Sequence, residues 1–251
     1  MNARQGPATG RHGRLSPAQQ WRLVVAATAR SAAARRAGAS PGPSVLQQLD
    51  LAALAHVVPP SDDIAQAAWR AAEQLQPPWL TQHVLRTFAW GSLLALNAGL
   101  AHDRCLFFAA CVLHDLGLTA FAADPPAHCF AVRGARAART LLCAAGANAA
   151  QARLAAHAIA RHLDLEVPAS QGAEAHLLHA GAGFDVIGRR RREVPPTLTQ
   201  AVLAHHPRMG MKRAICLCMR REAHQAPDTR TGVLVRKLGF LELVEQAPFS
   251  D

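Results

Sequence analysis

His83, the adjacent pair His114-Asp115, and Asp185 are the residues of this chain whose types and placement could do chemistry. Each falls among apolar residues where a helix should be burying its face. An unpaired buried carboxylate costs several kcal/mol or loses its charge, and a divalent cation is one of few partners that compensates it. Two imidazoles and two carboxylates drawn from three helices form a polar cluster that leaves positions for water, a donor set suited to zinc, iron or manganese. A divalent ion in such a set lowers the pKa of its bound water and yields a nucleophile near neutral pH. Asp115 is positioned to accept a proton as well as to ligate. Plainer alternatives exist for each residue: a core or surface histidine for His83, chance adjacency for His114-Asp115, and an ion pair with Arg189, four residues on, for Asp185.

Helices must carry these groups, and the composition agrees. Of 251 residues, 50% are hydrophobic, 5% are aromatic and none is Tyr. That balance favours packed helices over aromatic-rich strands and predicts an all-α fold. Ser61-Asp62-Asp63 starts a helix running to about Leu75, and Pro77-Pro78 breaks the chain. A helix then spans about Thr81 to Ala98 and ends at Gly99; Asp103 caps the next, which runs to His114-Asp115 and stops at Gly117. Further helices are expected over 132–145, 148–162, 173–189, 197–204, 211–224 and 231–238.

All 17 acidic residues lie at or after Asp50, whereas seven of the 27 basic ones precede it. The formal charge of +10 therefore resolves into +7 on residues 1–49 and +3 on the remainder. Residues 1–45 are expected to form a basic, Ala- and Arg-rich flexible extension with one helical patch over 16–37; residues 46–251 form the helical body. The nearly neutral body shows no basic face interleaved with aromatics, so a nucleic-acid partner is not expected. No stretch approaches the roughly 20 uninterrupted apolar residues of a membrane-spanning helix, so no membrane partner is expected. Six cysteines, none spaced C-x-x-C, are expected as free thiols in a reducing compartment, with a cytoplasmic location. A homo-oligomer is one of the assembly states the sequence leaves open.

The ordered set His…His-Asp…Asp has 31 residues from the first His to the second and 70 from Asp115 to Asp185. It resembles the HD-domain superfamily of metal-dependent hydrolases. The resemblance implies a helical bundle in which His83, His114, Asp115 and Asp185 ligate one divalent metal. Pro77-Pro78 before Gln82-His83-Val-Leu-Arg-Thr-Phe-Ala-Trp-Gly91, then Ala110-Cys-Val-Leu-His-Asp-Leu-Gly-Leu-Thr119, Phe130-Ala-Val-Arg-Gly-Ala135, Ala158-Ile-Ala-Arg-His162, Gly181-Ala-Gly-Phe-Asp-Val-Ile-Gly188 and His206-Pro-Arg-Met-Gly-Met-Lys212 are similar to the cyanamide-hydratase-like branch. The likeness spans roughly residues 50–238. Relatives commonly carry an acid where this chain has Ala131, which puts activity on cyanamide itself in question.

The resemblance implies hydration of cyanamide or a related small nitrile, or, in the superfamily's commoner reaction, attack on a nucleotide or other phosphoester. A phosphoryl substrate would need Arg or Lys partners beyond the metal. Arg86, three residues after His83, could reach the site; Arg133, Phe130 and Lys212 lie in matching segments and are candidates to bind the small-molecule substrate. His162 is a candidate to hydrogen-bond substrate or to join a second metal. The remaining alternative is a non-catalytic helical binding module with a structural metal.

Overall fold

The computed structural model describes residues 13–36, 45–122 and 128–251. Their regular structure is helical, with no strand among them beyond a single bridge between Arg14 and Thr229. No helix among the described residues is long and apolar enough to cross a membrane. α1 (Pro17–Arg36) is followed by a short α2 (Val45–Leu49) and a 3-10 stretch at Asp50–Val57. Next come α3 (Asp63–Leu75), α4 (Pro78–Ala98), α5 (Arg104–Leu113) and α6 (Phe130–Ala144). The chain continues with α7 (Ala149–Arg161), α8 (Ala173–Ile187), α9 (Pro196–His205), α10 (Met211–Gln225), α11 (Arg230–Lys237) and α12 (Phe240–Glu245).

The caps explain several boundaries. The Asp62 carboxylate accepts from the amides of Ile64 and Ala65, Asp103 accepts from Leu106, and Asn148 and Gln151 form a capping box that starts α7. α4 begins earlier than the two prolines suggested. Pro78 occupies the first turn, where its missing N–H is no loss, instead of breaking the chain. α8 ends earlier than expected because Gly188 adopts the left-handed conformation (φ 69°) that closes a helix.

α4 is buried on almost every side from Val84 to Ala95, which makes it the central helix. Phe88 on α4 packs against Phe107 and Phe108 of α5, with centroids 5.4 and 5.0 Å away. α4 and α8 share the most extensive packing of any pair. Their closest approach depends on glycine: a Cβ on Gly181 would lie 2.2 Å from the Thr87 carbonyl oxygen, and one on Gly91 3.0 Å from the Leu177 carbonyl oxygen. That approach brings His83 and Asp185 together.

Residues 13–36 belong to the segment expected to be a flexible extension, but they are anchored on the body. Leu15 is buried and its amide donates to the Asp228 carbonyl at 2.7 Å. Arg30 pairs with Glu166, and Lys237 donates to Gln20 at 3.1 Å. The rest of that extension, residues 1–12 and 37–44, lies outside the described residues.

Candidate metal centre

α5 ends at Leu113, and His114 and Asp115 follow as its last turn loosens into a 3-10 turn at Leu116–Leu118. Gly117 is required there, since a Cβ would sit 1.9 Å from the Phe130 carbonyl oxygen. His83 comes from the second turn of α4 and His162 from the end of α7. Each imidazole is fixed through Nδ1. His114 donates to the Cys111 carbonyl at 2.7 Å, His162 to the Ile159 carbonyl at 2.7 Å, and His83 to Asp185 Oδ2 at 2.7 Å. Because each of these partners is an acceptor, each Nε2 is left with its lone pair.

The three Nε2 atoms converge on one carboxylate. His114 and His83 lie 3.3 and 3.5 Å from Asp115 Oδ2, and His162 lies 3.5 Å from Oδ1. The His114 ring stands edge-on to both His83 and His162, at 5.2 and 5.0 Å. Ligand atoms about 2.0–2.2 Å from one tetrahedral ion stand about 3.3–3.6 Å apart, the spacing found between these nitrogens and the carboxylate. The potential ligand atoms of His83, His114 and Asp115 all lie within 4.8 Å of one another, so this buried group could hold a metal. Asp115 Oδ1 is buried without a hydrogen-bond partner, which fits a group waiting for a cation.

The electrostatics agree. Burial disfavours charge on Asp115, but His114, then His162 and His83, outweigh it and hold the carboxyl well below its usual range. Burial pushes His162 down to about 3 and also lowers His83, so both are neutral as metal ligation requires. His114 is desolvated too, yet the Asp115 charge raises it.

Asp185, expected as the fourth ligand, stands on the other side of His83. Its Oδ1 accepts from Arg86 Nε at 2.8 Å and Trp90 Nε1 at 3.0 Å, and its Oδ2 from His83 Nδ1 and, at 3.0 Å, Arg86 Nη2. With both oxygens engaged, Asp185 orients His83 and balances Arg86. Burial works against its charge, but Arg86 and His83 keep the carboxyl far below the ordinary value. Arg86, expected to reach a substrate, is fully buried. Its remaining Nη1 donates to the carbonyls of His206 and Pro207 at 3.1 and 2.8 Å.

Arg133 is likewise committed. It pairs with Glu222 at 2.7 Å and donates to the carbonyls of Gly117 and Ala122 at 2.8 and 2.9 Å and of His128. It clamps the turn after Asp115 and is not open to substrate. Lys212 donates to the Glu245 and Ala247 carbonyls at the end of α12, away from the cluster. Phe130 does line the centre, fully buried with its ring 5.6 Å from His162. Ala131 is buried beside it.

Trp90, Arg208 and Glu222 support the centre and were not anticipated. Trp90 lies seven residues after His83, two helical turns along one face, a spacing that could have identified it. Arg208 donates to the Asp185 carbonyl at 3.0 Å from a loop, where no sequence periodicity points to it. Glu174 of α8 accepts from the Asp103 amide at 2.8 Å and so ties α8 to the start of α5. Comparison with protein-family models and with curated proteins gives no match to this chain.

Proposed function

We propose that the chain is a metal-dependent hydrolase of HD-domain type that adds water to a small uncharged substrate, with a nitrile such as cyanamide as the leading class. The observation that carries this reading is the convergence of His83, His114 and His162 Nε2 on the Asp115 carboxylate, whose Oδ1 is buried and unpartnered. His83, His114 and Asp115 would hold zinc, iron or manganese, with His162 completing the set. A divalent metal supplies Lewis acidity and an activated water.

The chain's own residues do the rest. Asp115 Oδ1 has no competing donor, so it can take a proton from the attacking water and return it to the nitrile nitrogen. Addition of one water across the C≡N bond converts cyanamide to urea with no other co-reactant. Phe130 walls the centre, and the near-complete burial of all four polar residues excludes bulk water and large substrates.

The substrate class rests on where the cations are spent. A phosphoryl group needs Arg or Lys beyond the metal, and Arg86, Arg133 and Lys212 are tied to carboxylates and backbone carbonyls of the protein. A neutral substrate needs none of them. Urea formation from cyanamide by the metal-reconstituted chain tests the proposal, beside a small nitrile series and p-nitrophenyl phosphate. Asp115→Asn is expected to lower nitrile turnover by about 10²- to 10⁴-fold, the usual contribution of a positioned acid-base group. Turnover of the phosphoester with none of the nitriles would contradict the assignment.

A further inference from the structure

One hydrogen bond from His162 lies a second, basic pocket. His179 Nδ1 donates to the His162 carbonyl at 3.0 Å, and three residues before it on α8 His176 Nδ1 donates to the Val167 carbonyl at 2.6 Å. Both rings line a cavity of about 240 Å³ that Glu166, Arg189 and Arg190 also line. Arg189 Nη1 approaches His179 Nε2 at 3.3 Å, and Arg190 Nη1 approaches His176 Nε2 at 3.5 Å.

The charges around this cavity do not balance. Glu193 takes Arg190 through two bonds of 2.7 Å, and Glu166 takes Arg30 of α1. Arg189 is left with the imidazole and, at 3.5 Å, the Leu165 carbonyl, and pairs with no carboxylate among the described residues. Arg189 is exposed at the rim of the cavity, with Arg30 and Arg190 as like-charged neighbours and Glu166 as the opposing charge. The geometry is also built in advance. The Arg189 stem lies over Gly183, whose added Cβ would meet its Cδ at 3.4 Å, and Arg190 is held with φ at 60°, a conformation rare for a side-chain-bearing residue.

We propose that this pocket binds a phosphate-type oxyanion, free or as the head of a small monoester, between Arg189 and Arg190. An imidazole brings no negative charge to a guanidinium, whereas a phosphate accepts paired, charge-assisted bonds from it. The volume admits phosphate with a short ester group. This site does not depend on the metal centre being catalytic.

Calorimetric titration of inorganic phosphate into the metal-loaded full chain at constant ionic strength tests it, with glycerol 3-phosphate as the ester arm. Saturable binding of one anion per chain is expected, with Arg189→Gln weakening it about tenfold or more, as for the loss of a charged hydrogen bond. Arg139→Gln, at an exposed position of α6 outside the pocket, should leave the affinity unchanged. Tighter binding of glycerol 3-phosphate would identify the ligand as an ester, and tighter binding of phosphate as the free ion. Asp115→Asn should retain the binding, so failure of the metal reading and failure of this one are separable. Heat no greater than that of chloride, or equal affinity in a folded Arg189→Gln, would overturn the proposal.

Discussion

Asp115 and Asp185 are both buried carboxylates next to His83, and their surroundings assign them different tasks. Asp185 is saturated by donors and neutralises Arg86, whereas Asp115 faces three imidazole nitrogens and keeps one oxygen unpartnered. Asp185→Asn would leave Arg86 charged and buried without its anion, at a cost of about 3–5 kcal/mol. Asp115→Asn should cost the metal-free fold less while weakening metal binding. Urea unfolding of the metal-free variants measures both, and equal losses would contradict the division. The histidines give a pH signature. Burial is the leading cause that pushes His162 to about 3 and His179 and His206 to about 4. Between pH 6.5 and about 4 the unfolded chain binds protons that these folded imidazoles refuse, so stability should fall as pH falls through that window. A melting temperature that rises on acidification from pH 6.5 to 4.5 would contradict this. His83 and the His114-Asp115 pair were legible in the sequence because polar residues in apolar helices are conspicuous, and His162 only through the resemblance of Ala158-Ile-Ala-Arg-His162 to a family segment. That Asp185 spends both oxygens on donors from α4 was not, because only the three-dimensional crossing brings Arg86 and Trp90 to it.

At the scale of elements, the centre depends on two close approaches. α4 meets α8 at Gly91 and Gly181, and the turn after Asp115 meets the start of α6 at Gly117. Gly181→Ala would force its Cβ against the Thr87 carbonyl and open the crossing, with a cost of about 1–3 kcal/mol typical of overpacking. Because the same crossing holds Asp185 against His83, metal affinity should fall with stability. A variant of unchanged affinity and melting temperature would show that the crossing does not position the centre. The long helices of the body were readable from caps and apolar period, since Asp62, Asp103 and Asn148 each use a side chain to satisfy exposed amides. The short α2 and α12 were not, because five or six residues give too little period to distinguish a helix from a turn.

For the whole molecule, the all-α class followed from composition, and the packing of α1 on the body did not. Its anchor is one buried leucine, one backbone bond and a few exposed polar contacts, none of which has a periodic signature. Unequal charge made the N-terminal segment look detached, yet Arg30 spends its charge on Glu166 of the body. The buried cluster that α4, α5 and α7 bring together decides whether the chain binds a metal. Elemental mass spectrometry of the purified full chain, beside Asp115→Ala and Arg139→Gln, tests it most directly. About one equivalent of a divalent transition metal per chain is expected in the unaltered protein and in Arg139→Gln, as a single closed ligand set requires, with loss of that metal in a folded Asp115→Ala. No bound metal in the unaltered chain after reconstitution with zinc, iron and manganese, or full retention in Asp115→Ala, would contradict it.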